Sequence, residues 1–254
     1  MKVAWPSPGV WPVTLRHEAL VLRPLVVADE PAWNELRTFS SAWLAPWDAT
    51  APPETPRRDY VFADMVRNNQ KLARQGRSLP WCLAWDDQWA AGSSGRPLGE
   101  SGRPRLGESW WPLLGDSGRP LLGAAWRPLG AAWRPRLIGS LTVNGIVWGS
   151  SRSAFIGYWI DRRWAGRGLV PLGVAMAADY CFHTLKLHRL EIDILPENGP
   201  SHRVVQKLGF IPDGRRRSML HIDGAWRDHD AFVMTADDAP ASLVDRLLAS
   251  GVVG

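Results

Sequence analysis

Apolar and polar positions along the 254-residue chain change period several times, and each change marks an element. Glu18 to Leu25 reads as a strand, and Val26-Val27-Ala28-Asp29 leads into a helix through about Phe39, with Asp29 as its cap or first-turn acid. Ser41 to Thr50, holding Trp43, Pro46 and Trp47, reads as a packed connector loop, with a substrate-contacting loop as the alternative. Arg57 to Gly76 predicts a helix, with Val61, Phe62, Met65, Val66 and Leu72 near helical spacing and Gly76 as its stop. Pro80 to Trp85 is a strand, and Leu137 to Trp148 and Ala154 to Asp161 are two more. A helix follows from about Leu169 to Leu185, with Leu172, Met176 and Tyr180 spaced to pack one face on a sheet. Arg189 to Leu195 alternates as a half-buried strand, and Ser201 to Leu208 is a short helix ending at Gly209. Strands over about Arg216 to Ile222 and Trp226 to Thr235 flank an Asp223-Gly224 turn, and Ala241 to Ala249 closes the described pattern as a small helix.

One stretch has neither period. From Ser94 the text repeats in units of mostly seven or eight residues, such as Ser-Gly-Arg-Pro-Leu-Gly-Glu and Ala-Trp-Arg-Pro-Leu-Gly-Ala. A proline in every unit forbids a long helix or a central strand, and the period is too short for the usual solenoids. The expectation is a tandem expansion in a surface hairpin loop, residues 93–136, loosely extended and tolerated because long loops add little closure entropy. Its tryptophans beside arginines also suit a basic-aromatic arm for RNA or a protein partner.

Charge sharpens this division. The chain's net charge is +5, and residues 93–136, with seven arginines and three acids, hold +4 of it. The remainder is nearly neutral, which disfavours direct nucleic-acid binding outside that segment. Cys82 and Cys181 lie in apolar surroundings without a C-x-x-C or a metal-ligand cluster, so they read as free buried thiols in a reducing compartment, and no metal is expected. The N-terminal apolar run is broken by Pro6, Pro8 and Pro12 and makes a poor signal core; no run approaches a membrane span. A cytoplasmic protein is the expectation.

The candidate chemistry sits between the strand ending at Asp161 and the next helix. Arg163, Gly166 and Gly168 form R-x-x-G-x-G, a layout that brings backbone and a helix N-terminus up to a bulky anion such as a diphosphate. Pro171 suits the first helical turn, but it stands where a dinucleotide fingerprint needs a third glycine, and no Walker lysine follows. Taken alone, the motif fits a plain tight turn equally well.

Several motifs in order carry a resemblance. The loop Arg163-x-x-Gly166-x-Gly168, then Asn198-x-x-Ser201, then Lys207-Leu208-Gly209-Phe210, resembles the GNAT superfamily of acetyl-CoA-dependent N-acetyltransferases. Ala42-Trp43-Leu44-Ala45-Pro46-Trp47 and Ile222-Asp223-Gly224-Ala225-Trp226-Arg227-Asp228-His229 look like its RimJ branch, the ribosomal-protein-alanine N-acetyltransferases. The similarity covers residues 17–92 and 137–237, leaving 1–16 as an N-terminal extension and 238–254 as a C-terminal helix and tail. It implies a mixed α/β (α+β) fold: a largely antiparallel central sheet with two splayed parallel strands, Phe155 to Asp161 and Leu190 to Leu195, and helices on both faces.

The same resemblance implies acetyl-CoA as cosubstrate and a protein N-terminus as acceptor, a ribosomal protein in the RimJ branch, with a homodimer left open. Backbone near Ile160 would take the pantetheine amides. Ala165, Gly166, Arg167, Gly168 and Leu169 would take the diphosphate with Arg163, and Asn198 and Ser201 would reach the cofactor from the second strand. Many members place a tyrosine where this chain has Val205. Ser201, one turn earlier, is then the candidate for stabilising the thiolate, with helix capping as its alternative; Asp228 is a second catalytic candidate beside His229, with bonding of the turn backbone as its alternative. A GNAT acting on a small amine or antibiotic, and a binding module without turnover, are the rival readings.

Overall fold

The computed structural model describes residues 11–56, 61–93 and 134–251. Most of the repeat segment, and hence the expectation made for it, lies outside the described residues. Among those described, eight strands form one sheet in the order β1-β2-β3-β4-β5-β6-β8-β7. They are β1 (Leu15–His17), β2 (Leu20–Pro24), β3 (Leu79–Trp85), β4 (Arg136–Val147), β5 (Ser153–Ile160), β6 (Arg189–Ile194), β7 (Ile211–Ile222) and β8 (Ala225–Thr235). Every neighbouring pair is antiparallel except β5 and β6. The helices are α1 (Glu30–Phe39), α2 (Ser41–Leu44), α3 (Phe62–Arg74), α4 (Asp87–Ser93), α5 (Leu169–Asp179), α6 (Gly199–Leu208) and α7 (Leu243–Ala249).

Strand alternation divides the core in two. Leu20, Leu22, Trp81, Leu83, Ile138 and Leu141 join the residues of α5, α6 and α7 in the main cluster, while Cys82 and Leu137 point the other way into a smaller cluster with Leu36, Phe62 and Val66 from α1 and α3. The sheet is therefore covered on both faces, as the resemblance implies. Helix α5 is buried at every position except Val170, which explains why its sequence is apolar on nearly every side. It lies close on the sheet: a Cβ at Gly173 would sit 2.8 Å from Leu83 Cδ2. Both cysteines are free and fully buried, and burial pushes the Cys82 thiol up to about 12.

Four details differ from the pattern expected of the sequence. Strand β1 pairs with β2 across Glu18 at φ 49°; three residues are too few to show alternation. Asp29, by contrast, is the expected first-turn acid, in the 3-10 turn that runs into α1: its carboxylate accepts the Val26 N–H at 3.0 Å and binds Arg23 at 2.8 and 2.9 Å. Strand β7 starts at Ile211, well before Arg216, because register shifts beside Pro212 and Arg216 leave its first half exposed and irregular. The connector after α1 contains the single turn α2, and α5 widens into a π-turn over Tyr180–Thr184.

At the far end of α5, buried Asp179 holds the start of α7, accepting from Ser242 Oγ at 2.9 Å and from the Leu243 and Val244 N–H groups at 2.7 and 3.2 Å. Replacing Asp179 by Ala strands these donors, so unfolding in urea is expected to show a loss of about 2 kcal/mol; an unchanged midpoint would mean that α7 docks through apolar contacts alone.

Candidate functional site

Strands β5 and β6 pair at only three positions, Ser153 with Arg189, Ala154 with Leu190 and Phe155 with Glu191. Beyond Phe155 and Glu191 both continue, but apart, so their facing N–H and C=O groups are left without strand partners. A cleft of about 240 Å³ occupies this side of the fold. Its walls are Tyr158, Trp159 and Ile160 of β5, the loop from Trp164 to Pro171, the start and inner face of α6, and Trp43, Leu44, Trp47 and Asp48 from the α2 region.

The loop is held from beneath. Asp161, with no exposed surface, accepts the Arg163 N–H at 2.7 Å, capping the 3-10 turn Arg162–Trp164, and binds the Arg163 guanidinium through Nε at 3.0 Å and Nη2 at 2.6 Å. The Arg162 N–H donates to the buried Ser40 hydroxyl at 3.2 Å, tying the loop to the α1–α2 junction. On the outer side, Trp164 packs against Trp85 with the rings tilted by 46° and lies under the Arg136 and Arg167 guanidiniums. Gly166 and Gly168 both have positive φ, 79° and 74°, the left-handed region that residues with a Cβ adopt at a cost. A Cβ at Gly166 would meet nothing within 4 Å, so the space before it is open.

Gly168 starts α5 without a side-chain cap, which leaves the first-turn N–H groups of Leu169 and Val170 available, while Pro171 has none to satisfy. Helix α6 begins on the same cleft: Asn198, Pro200 and Ser201 line it, followed by Arg203, Val204 and Lys207. Two helix N-termini and two cations thus face a cleft whose lining contains one acid, Asp48. That arrangement attracts a polyanion.

Of the residues singled out in the sequence, Ile160, Ala165, Gly166, Gly168, Leu169, Asn198 and Ser201 line the cleft. Arg163 does not: its guanidinium is committed to Asp161, reaches Glu35 at 3.3 Å and lies over the Phe39 ring. Arg167 bends back to the Arg163 carbonyl at 3.0 Å. Asn198, not Ser201, caps α6, accepting the Ser201 N–H at 3.2 Å, so the hydroxyl of Ser201 is not the cap. Asp228 accepts the Ser218 N–H at 2.8 Å, the backbone-bonding alternative considered for it. His229 is buried and hydrogen-bonds the Arg227 carbonyl through Nδ1 at 3.2 Å, and burial lowers its pKa. Val205 is wholly inside the core. Among the described residues no group of three His, Cys, Asp or Glu could hold a metal ion, and no helix is long and apolar enough to cross a membrane.

Three contributions escaped the sequence reading. Arg203 and Lys207 stand four residues apart on one helix face, a spacing that could have flagged them. Tyr158 alternates with Ile156 and Ile160 on the core face of β5, where a phenol needs a reason to be. Asp193 is the third: it lies two residues past the last β5–β6 pair, on the other face of the sheet, where Arg216 donates to its Oδ1 at 2.7 Å and its buried Oδ2 has no partner. Burial and the neighbouring Asp213 carboxylate push its pKa up to about 6.

Comparison with known proteins fits this geometry. Residues 117–211 match the family described as Acetyltransferase (GNAT) domain. Over that stretch the chain is similar to GNAT acetyltransferases. Its curated relatives include the Probable N-acetyltransferase YjcK of Bacillus subtilis, 40% identical over 104 residues, which are 41% of this chain and 58% of that protein. The [Ribosomal protein uS5]-alanine N-acetyltransferase of Escherichia coli is 33% identical over 102 residues, 40% of this chain and 53% of that one. The chain thus spans a little over half the length of these relatives. Mycobacterium smegmatis RimJ, solved in complex with CoA-disulfide, superposes with a TM-score of 0.68 at 28% identity, over 95% of this chain and 96% of that one. The open antiparallel sheet with its single parallel pair is the GNAT fold.

The loop beside the cleft depends on Asp161, which accepts from both the backbone and the guanidinium of Arg163. Asp161→Ala removes the acceptor for one backbone and two side-chain donors, and a loss of about 2–3 kcal/mol is expected from urea unfolding; a change under about 0.5 kcal/mol, the range of an ordinary surface substitution, would show that the loop is held by Trp164 and Ser40 instead.

Proposed function

We propose that the chain transfers acetyl from acetyl-CoA to the N-terminal α-amine of a protein, with a ribosomal protein beginning with Ala or Ser as the acceptor. The observation that carries this reading is the β5–β6 fork opening on a cleft rich in free N–H groups. A pantetheine arm can pair with the unpaired edge of β5 near Ile160 as a short extra strand, while its diphosphate meets the N–H groups from Ala165 to Val170. Arg203 and Lys207 supply the charge on that site, a task expected of Arg163 until its guanidinium proved engaged beneath the loop. The relatives that carry uS5-alanine acetylation and RimJ in their names support the acceptor class.

The reaction needs an uncharged amine, a proton acceptor and a place for the leaving sulfur. An α-amine has a reference pKa of roughly 8, so its deprotonation needs little help. Asp193 flanks the fork, and a carboxylate raised toward 6 can take the surplus proton through water while remaining ionised at neutral pH. Ser201 faces the cleft from α6 and can donate to the departing thiolate. Much of the acceleration then comes from holding amine and thioester together. We assign residues 93–136 no part in transfer: the segment joins adjacent strands β3 and β4, and Arg136 at its exit binds Asp87 near its entry at 2.6 Å.

Labelled acetyl-CoA incubated with N-terminal peptides and small amines tests the reading. Label is expected on Ala- and Ser-starting peptides, including with residues 94–133 deleted; label on small amines alone would make this a small-molecule enzyme, and coenzyme binding without transfer a regulatory module. The base has its own signature. Because only ionised Asp193 accepts a proton, kcat should fall as pH drops through about 6, and Asp193→Asn should lower kcat by about 10²-fold and flatten that limb. A normal acid limb in the variant would remove Asp193 from the mechanism.

A further inference from the structure

The hydroxyl of Tyr158 is the unexplained group in the cleft. It is shut off from solvent and has no formed hydrogen bond, although Tyr158 lines the same cleft as Ser201. A buried, unsatisfied hydroxyl is unfavourable, and phenylalanine would fill the same space without it. Tyr158 from β5 and Ser201 from α6 line the same cleft, and while burial raises the phenol's pKa, the Ser201 side chain partly offsets that rise. Their mounts are rigid: β5 is paired to β4 at Leu141 opposite Tyr158, and the Ser201 backbone is fixed by the Asn198 cap.

We propose that Tyr158 is a positioning residue that aims the Ser201 hydroxyl at the thioester sulfur; this deepens the transferase reading and rests on it. A hydroxyl carries one donor hydrogen and two acceptor lone pairs. With the phenol donating into one lone pair of Ser201 Oγ, the serine's own hydrogen is turned away from Tyr158 and into the cleft. The donation also polarises the serine O–H, strengthening the bond that it makes in turn. During transfer the amine nitrogen bonds the carbonyl carbon, the C–S bond breaks, and its electron pair passes to sulfur. That sulfur accepts the Ser201 hydrogen bond as its charge grows. The nitrogen's surplus proton leaves through water toward Asp193, and the thiolate is later protonated from solvent. Tyr158 exchanges no proton in this sequence.

Tyr158→Phe keeps the ring and removes only the hydroxyl. Its kcat for an Ala-starting peptide is expected to fall about tenfold, the worth of one hydrogen bond in the transition state, with KM for acetyl-CoA, calorimetric affinity for coenzyme A and melting temperature unchanged. In a Ser201→Ala background the same substitution should have no further effect. 3-Fluorotyrosine at position 158 retains the donor and should keep kcat within about twofold of the wild type; this variant decides the matter should Tyr158→Phe not fold. An unchanged kcat in Tyr158→Phe, an equal loss in the Ser201→Ala background, or a fluorotyrosine protein as slow as Tyr158→Phe would each overturn the role. A wild-type protein that binds coenzyme A and transfers to no acceptor overturns the transferase reading together with it, whereas normal wild-type turnover with any of those three results overturns the Tyr158 role alone.

Discussion

Two halves of a sheet meet in this protein at three residue pairs. On one side β5 is held by β4 from Gly139 to Asn144, and on the other β6 is held by β8 along its whole length. Each half is stabilised by its own antiparallel partner, so the seam between them can open without unravelling either. Opening exposes backbone that would otherwise be paired, which in a folded protein requires another partner. The remaining architecture is arranged around that gap. Helix α5 starts at its mouth and packs close on β2, β3 and β4 through Gly173; the Asp161 loop closes its tip; α6 brings a second N-terminus to its edge.

Electrostatic attraction in the cleft is split between main chain and side chain in a way that the formula R-x-x-G-x-G does not reveal. Its arginine is a structural strut, bound to an inaccessible carboxylate below the loop, and its glycines leave the N–H groups facing open space. The cations facing the cleft come from the neighbouring helix instead. Separating the group that shapes the loop from the groups that attract the ligand lets the loop hold its form whether or not the cleft is filled.

Element positions were legible because hydrophobic period survives in the sequence wherever a face is buried. Strands β3 to β6 and helices α1, α5 and α6 fall within a few residues of expectation for that reason. Strand β1 is too short to show a period, and the first half of β7 is exposed on both faces and interrupted by bulges, so nothing in its pattern distinguishes it from a loop. The cleft was legible as to chain segment and less so as to side chain. Gly166, Gly168 and Asn198 announce themselves by backbone geometry, which is local. Whether Arg163 turns toward the ligand or toward Asp161, and whether Tyr158 meets Ser201, depends on elements far apart in sequence, and no spacing rule carries that information. Asp193 was hidden in plain alternation: Leu190, Ile192 and Ile194 mark the buried face, and the acids between them read as solvated until the opposite face proved to be covered as well.

A receptor built from peptide N–H groups has an evolutionary corollary. Every amino acid except proline brings the same N–H, so drift in the loop's side chains leaves it intact provided that Gly166 and Gly168 keep their left-handed backbone. Selection on that part of the molecule acts on dihedral angles. Across the mouth, Trp43, Trp47 and Asp48 belong to a separate segment and can diverge without disturbing it. A lineage with this division can exchange one partner for another by changing a few rim residues while inheriting its anion site whole.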